Sequence, residues 1–184
     1  MTEAKQQTYM AEVVVGKTKR ATTQIDDPLH RARGIANYQF DSPIGHLLFP
    51  DECIVELSKR TGNLRRVFQG ETVLATIRAH DGRLVLTMAG AKRLHQLCPL
   101  PRLRVVVNQE ITPYISKGRS VFAKHVINVD PQLRAGDEVL IVNENDELLA
   151  VGRAHLSPRE MLDLTRGVAV NTRHAQKSRN DTQK

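Results

Sequence analysis

The side chains best placed to do chemistry in this sequence are cations. Between Lys59 and Arg104 ten basic residues (Lys59, Arg60, Arg65, Arg66, Arg78, Arg83, Lys92, Arg93, Arg102 and Arg104) meet only Glu71 and Asp81, a local charge of +8. From Arg119 to Lys184 ten basic residues face nine acidic ones, so the field behind the formal net charge of +7 belongs to the middle of the chain. Such a field attracts phosphates by releasing their condensed counterions, and it does so for any polyanion; it points to nucleic acid without separating RNA from DNA. Arg65, Arg66, Lys92, Arg93, Arg102 and Arg104 are its candidate contacts. Alternation along "RLRVVV" puts Arg102 and Arg104 on one side of a strand. Other chemistries find little support. Asp41, His46 and Asp51 are the only local acidic and histidine grouping, and they read as a loop between elements, not as an acid and base around a substrate. Cys53 and Cys98 are the only cysteines, and His30, His46, His80, His95, His125, His155 and His174 are scattered without metal-ligand spacing. Two buried thiols are expected, with no disulfide framework, no zinc site and no cofactor.

The elements that must hold these cations follow from pattern. At 184 residues the chain can form one medium domain or two small ones. No apolar run approaches the roughly 20 residues a membrane helix needs, and "MTEAKQQTYMAE" has no hydrophobic segment of the secretory kind, so a cytoplasmic protein with no membrane partner is expected. Residues 1–28 read as an arm, partly disordered, around "AEVVVGK". Pro50 and Asp51 mark the start of a short helix or strand. "NLRRVF", "TVLATIRA" and "RLVLT", separated by "QGE" and "HDG", predict a small meander. "MAGAKRLHQL" predicts a helix burying Met88, Ala91, Leu94 and Leu97 or Cys98, and "RLRVVV" a strand after it. Thr112 as a capping hydroxyl before Pro113, with Gly118 closing the far end, predicts a short helix joining two halves.

The second half predicts strands at "SVFAKHV", "EVLIVN", "LLAVGRA" and "VAVNTRH", with "ENDE" closing a hairpin. One helix interrupts them, with Ser157 as N-cap, Pro158 at N1 and Glu160 at N3; Arg166 favours its C-terminus and Gly167 turns the chain out. Several short strands around one helix predict a small, nearly closed barrel. Gly152 inside a strand pattern marks a bulge or a close backbone approach. The expected class is α+β, with a small α+β domain over 29–117, a β-barrel with one or two short helices over 118–175, and a disordered tail over 176–184.

"GRSVFAKHV", "RAGDEVLIVN", "LLAVGRA" and "GVAVNTRHA" together resemble the PUA domain, an RNA-binding module. "GIANYQF", "TGNLRRVF", "TMAGAKRL" and "LPRLRVVV" resemble the pre-PUA domain of archaeal tRNA-guanine (archaeosine) transglycosylases. The resemblance runs from about Leu29 to about Ala175. It does not extend to that family's catalytic (β/α)₈ barrel, with its aspartate nucleophile and cysteine-rich zinc site, for which about 250 residues are needed. "TPYISKG" is only a distant echo of the Lys-Pro-Tyr signature of archaeosine synthases.

The resemblance implies RNA as partner, commonly the acceptor end of tRNA, gripped through shape, phosphates and 2′-hydroxyls by a glycine-bearing loop and a barrel edge. Carried onto this sequence, it makes Lys117, Gly118, Arg119 and Lys124 the candidate surface, with Phe122 packing, and lets Arg153 and Arg173 reach an RNA terminus. It implies a noncatalytic tRNA binder in tRNA modification, an accessory protein or the subunit of a split enzyme whose transglycosylase catalytic chain is separate. A ribosome- or translation-associated factor is the alternative, and an enzyme in its own right the third reading.

Overall fold

Two sheets of different build carry the chain, and a computed structural model describes them over residues 27–41 and 43–176. The stretch "AEVVVGK", the rest of the N-terminal arm before Asp27 and the tail after Gln176 lie outside the described residues.

The first unit opens with helix α1 (Pro28–Phe40). Asp27 caps it by accepting the Leu29 N–H at 2.9 Å, and Pro28 takes the first helical position, where its missing N–H costs nothing. The apolar stripe of Ala32, Ala36 and Phe40 is interrupted by polar Arg33, Asn37 and Gln39, so periodicity does not announce this helix and the Asp-Pro start is its clearest signal. After α2 (Ile44–Leu48) come four antiparallel strands in sequential order, β1 (Cys53–Leu57), β2 (Leu64–Gln69), β3 (Thr72–Ile77) and β4 (Leu84–Leu86). The expected meander thus gains a strand, and the undecided "DECIVEL" resolves as β1. Helix α3 (Met88–Leu97) buries Ala91 and Leu94 with Cys98 beyond its end, as helical spacing requires. The Gln39 side chain receives the Leu84 N–H and donates to the Leu84 carbonyl, both at 2.9 Å, so α1 completes the edge of β4.

The second unit is a six-stranded sheet formed by β5 (Arg104–Val107), β6 (Val121–Phe122), β7 (Val126–Val129), β8 (Glu138–Val142), β9 (Leu148–Ala154) and β10 (Val168–Ala175). Its strand order is β6-β10-β9-β8-β5-β7. The two edge strands, β6 and β7, are consecutive in sequence and separated only by a 3-10 turn over Ala123–His125, so the sheet curls until it nearly closes into a barrel. β8 is buried along its whole length, which explains its unbroken apolar run after Glu138. Helix α5 (Pro158–Asp163) begins with the expected capping box: Ser157 Oγ accepts the Glu160 N–H and Glu160 accepts the Ser157 N–H at 2.8 Å. It ends before Arg166, which therefore does not cap its last turn.

Three expectations change. The strand "RLRVVV", expected in the first half, is β5 of the second sheet, parallel to β8 and antiparallel to β7, with Val105 and Val107 buried. "SVFAKHV" is not one strand, since the 3-10 turn breaks it where the barrel must bend. Thr112 does not cap the joining helix α4 (Thr112–Ile115): a 3-10 turn over Gln109–Ile111 leads straight into it, and Thr112 Oγ1 is buried without a partner among the described residues. Gly118 does close α4, donating its N–H to the Ile115 carbonyl at 2.8 Å in the left-handed region at φ +86°.

Candidate nucleic-acid interface

The loop leaving α4 and the 3-10 turn after β6 present cations to solvent. Lys117, Gly118, Arg119 and Lys124 are exposed, and none of the three charged side chains forms an ion pair among the described residues. The space beside Gly118 is open. Thr172 on β10 donates its hydroxyl to the Arg119 carbonyl at 2.9 Å, which ties this loop to the strand that also carries Arg173. Phe122, expected to pack, leaves about half of its ring in solvent (47%).

Much of the basic field of the middle of the chain is engaged by tertiary partners, some of them carboxylates and some neutral. Arg65 and Arg66 share one carboxylate, Glu56 on the neighbouring strand, at 3.2 and 3.6 Å. Arg93 donates to the Leu47 carbonyl at 3.0 Å and to Gln69 at 2.7 Å, pinning α3 to α2 and β2. Arg102 is paired with Asp41 and hydrogen-bonded to Gln132 at 3.0 Å, with Asp130 at 3.4 Å. Lys92 alone of the six is exposed without an ion pair among the described residues. Arg104 does not face outward: its side chain is 2% exposed, paired with Asp146 at 3.2 Å and donating to the carbonyls of Arg102 and His95, both at 2.9 Å. Its reading as a phosphate contact is corrected; it is a strut between the second sheet's β8–β9 turn and α3. Counting charge by sequence neighbourhood failed because the balancing carboxylates, Asp41, Glu56, Asp130 and Asp146, arrive from outside the counted segment.

Arg153 and Arg173 come together where the two units meet. Arg153 on β9 lies opposite Glu138 on β8 and donates to the Gly136 carbonyl at 3.3 Å. Arg173 approaches Glu138 at 4.0 Å. Gly152 makes this convergence possible, because a Cβ there would collide with the Asn171 carbonyl of β10, whose register shifts just beyond, between Thr172 and His174. Bulge and close approach thus occur at the same place. Two arginines of the basic field outside its six candidate contacts, Arg78 and Arg83, frame the β3–β4 turn and reach the same spot. Arg83 donates to the Gly136 carbonyl at 3.0 Å and Arg78 pairs with Asp81 at 2.7 Å. The missed signal was an arginine at each end of a tight hairpin tip. Glu138 is buried, accepts the Leu86 N–H at 3.2 Å, and is pushed up to about 7 by burial, against the pull of Arg173, that hydrogen bond, Arg78 and Arg153.

The remaining candidates are separately engaged. Asp41 is held by Arg102, and Asp51 by Arg33 at 2.6 Å, whose hydrogen bond keeps the Asp51 carboxyl below its usual range. Cys53 and Cys98 are buried free thiols, raised by that burial. Among the described residues no group of three or more His, Cys, Asp or Glu could hold a metal ion, and no helix is long and apolar enough to cross a membrane.

Comparison with known proteins gives two family matches that meet where β5 begins. Residues 30–101 match the patch-forming domain C2 of tRNA-guanine transglycosylase, and residues 103–175 match the PUA domain. Over 165 residues the chain is 48% identical to a tRNA-guanine(15) transglycosylase of Methanothermobacter thermautotrophicus, covering 90% of this chain and 24% of that protein. Over 139 residues it is 54% identical to a tRNA-guanine(15) transglycosylase of Pyrococcus furiosus, covering 76% of this chain and 23% of that one. The chain therefore spans about a quarter of the length of these relatives. A hypothetical protein of Pyrococcus horikoshii shares the fold with a TM-score of 0.65 at 21% identity, over 83% of this chain and 92% of its own. A PUA domain protein of Thermoplasma acidophilum does so with a TM-score of 0.56 at 20% identity, over 82% and 89%.

Proposed function

We propose that this chain, whose residues 30–101 match the patch-forming domain C2 of tRNA-guanine transglycosylase and whose residues 103–175 match the PUA domain, grips structured tRNA for a transglycosylase whose base-exchange chemistry another chain performs. The observation that carries this reading is the set of exposed cations without ion pairs among the described residues, Lys117 and Arg119 on the loop around the open Gly118, hydrogen-bonded to β10, and Lys124 on the 3-10 turn that follows β6. A loop of this kind can follow a phosphate backbone without reading bases, which suits recognition by shape. The tRNA-guanine(15) transglycosylases named above support tRNA as the RNA. In this reading the chain works without a cofactor in the cytoplasm, as a noncatalytic subunit or accessory protein.

Affinity purification of the tagged chain from its native cells tests the assignment. Recovery of tRNA together with a transglycosylase catalytic chain is the expected result. Recovery with the small ribosomal subunit, and without such a chain, would replace this reading with the translation-factor one.

A further inference from the structure

Four guanidinium groups and three carboxylates gather at the seam between the two sheets. From the β3–β4 hairpin tip come Arg78, Asp81 and Arg83, with His80 beside Asp81; from the approach to β8 come Asp137 and Glu138; from β9 comes Arg153 and from β10 Arg173. The cations are incompletely used. Each guanidinium carries five N–H donors, yet Arg78 Nε is buried without an acceptor among the described residues. Arg153 spends one donor on a backbone carbonyl at 3.3 Å, and Arg173 only nears Glu138, at 4.0 Å. The Arg173 side chain keeps 31% of its exposure and that of Glu138 keeps 4%, so an anion arriving from solvent meets guanidinium before carboxylate.

We propose that Arg78, Arg153 and Arg173 form a binding site for one backbone phosphate of RNA, which takes over from Glu138 as their counter-ion. The inference rests on the RNA-binding reading for the source of the phosphate, but the site itself is defined by the arginines. Planar guanidinium groups match phosphate oxygens in paired hydrogen bonds, which the distant, buried Glu138 carboxylate does not supply to Arg173. A phosphate seated there repels the Glu138 carboxylate, and Glu138 responds by taking a proton from solvent. Because that group already titrates at about 7, the proton costs little near neutrality. Leu86 N–H donates to Glu138 Oε1, and a protonated carboxyl still offers an oxygen that can accept it. The seam also lies one residue along β10 from Thr172, the anchor of the basic loop, so an RNA held by that loop has a second fixed point across the junction of the two units.

By linkage, phosphate binding and protonation of Glu138 reinforce each other, and every unit by which the phosphate raises that pKa gives about a tenfold weaker binding above it. The test measures binding of a folded tRNA transcript by fluorescence anisotropy at constant ionic strength, at about pH 6 and about pH 8, with thermal melting in sulfate as a readout independent of RNA. Wild type should bind the transcript roughly 3- to 10-fold tighter at the lower pH. Glu138→Gln, which keeps the acceptor for Leu86, should bind at both pH values as wild type does at the lower one. Arg173→Ala should bind more weakly, without the pH dependence, and should lose the stabilisation by sulfate that wild type and Glu138→Gln show. A pH dependence that survives in Glu138→Gln would assign it to His80 or another histidine and overturn the proposal. Equal binding and equal sulfate response in all three proteins would overturn it while leaving the RNA-binding reading standing. Sulfate stabilisation lost in Arg173→Ala, with no transcript bound by any protein, would keep the site and refute that reading instead.

Discussion

Replacing Glu138 by Gln should stabilise the protein at alkaline pH and leave it unchanged in acid. Burial lifts the Glu138 carboxyl from its ordinary 4.5 to about 7, although Arg173, Arg78 and Arg153 all pull the other way. The folded value lies above the unfolded one, so the fold holds this proton more tightly than the unfolded chain does. The associated stability is complete below about pH 4.5 and is lost as pH rises through about 7. At 1.36 kcal/mol per pKa unit the interval amounts to about 3 kcal/mol. Gln has the shape of the protonated acid and keeps the oxygen that accepts the Leu86 N–H. The variant should therefore match wild type near pH 4.5 and exceed it by up to about 3 kcal/mol near pH 8, roughly 5–10 °C in Tm for a domain of this size. Urea and thermal unfolding of both proteins across that range isolate Glu138, because the other carboxylates cancel in the difference. A difference that does not change with pH, or a variant less stable than wild type at pH 8, would refute the reasoning.

Further outcomes follow from the same geometry. Arg104→Ala removes a buried cation from Asp146 and two carbonyls, and should cost about 2–4 kcal/mol in urea unfolding while leaving the salt dependence of RNA binding unchanged. Neutralising Lys117, Arg119 and Lys124 together should lower the slope of log affinity against log salt by about 2–3 if each meets a phosphate, measured by anisotropy titration. Neutralising Arg65 and Arg66, which share Glu56, should lower it less. Gly152→Ala forces a Cβ into the Asn171 carbonyl and should destabilise by at least about 1–3 kcal/mol, with crowding at β9 and β10 visible in amide chemical shifts. Ser157→Ala breaks the capping box and should cost about 1 kcal/mol in thermal unfolding.

Local signals in this sequence were read well where one element satisfies itself. The Ser157 capping box, the apolar face of α3 and the β-rich runs of β2 to β4 with the turns between them are all internal to short stretches, and the structure keeps them. Elements settled by partners were harder. The strand holding Arg104 has the same pattern in either half of the chain, and only pairing with β8 and β7 assigns it to the second sheet. Helix α1 was hidden because Gln39 serves the edge of β4 and Arg33 turns inward to the Phe49 carbonyl at 2.7 Å, polar duties that blur an amphipathic stripe. The basic field was legible as a charge and misleading as a site, since Arg102 and Arg104 bind carboxylates that only folding brings near. The seam cluster is non-local in the same sense: Arg78, Glu138, Arg153 and Arg173 sit on four different strands or turns, and no spacing in one segment announces them.

The central claim is that this chain recognises folded tRNA by shape and phosphate position. Fluorescence anisotropy across a salt series tests it most directly, with a folded tRNA transcript, an unstructured RNA of equal length and a DNA duplex as ligands. The account predicts a preference for the folded tRNA that persists at physiological salt. Equal binding to all three, falling away together as salt rises, would contradict it and leave only a basic protein attracted to any polyanion.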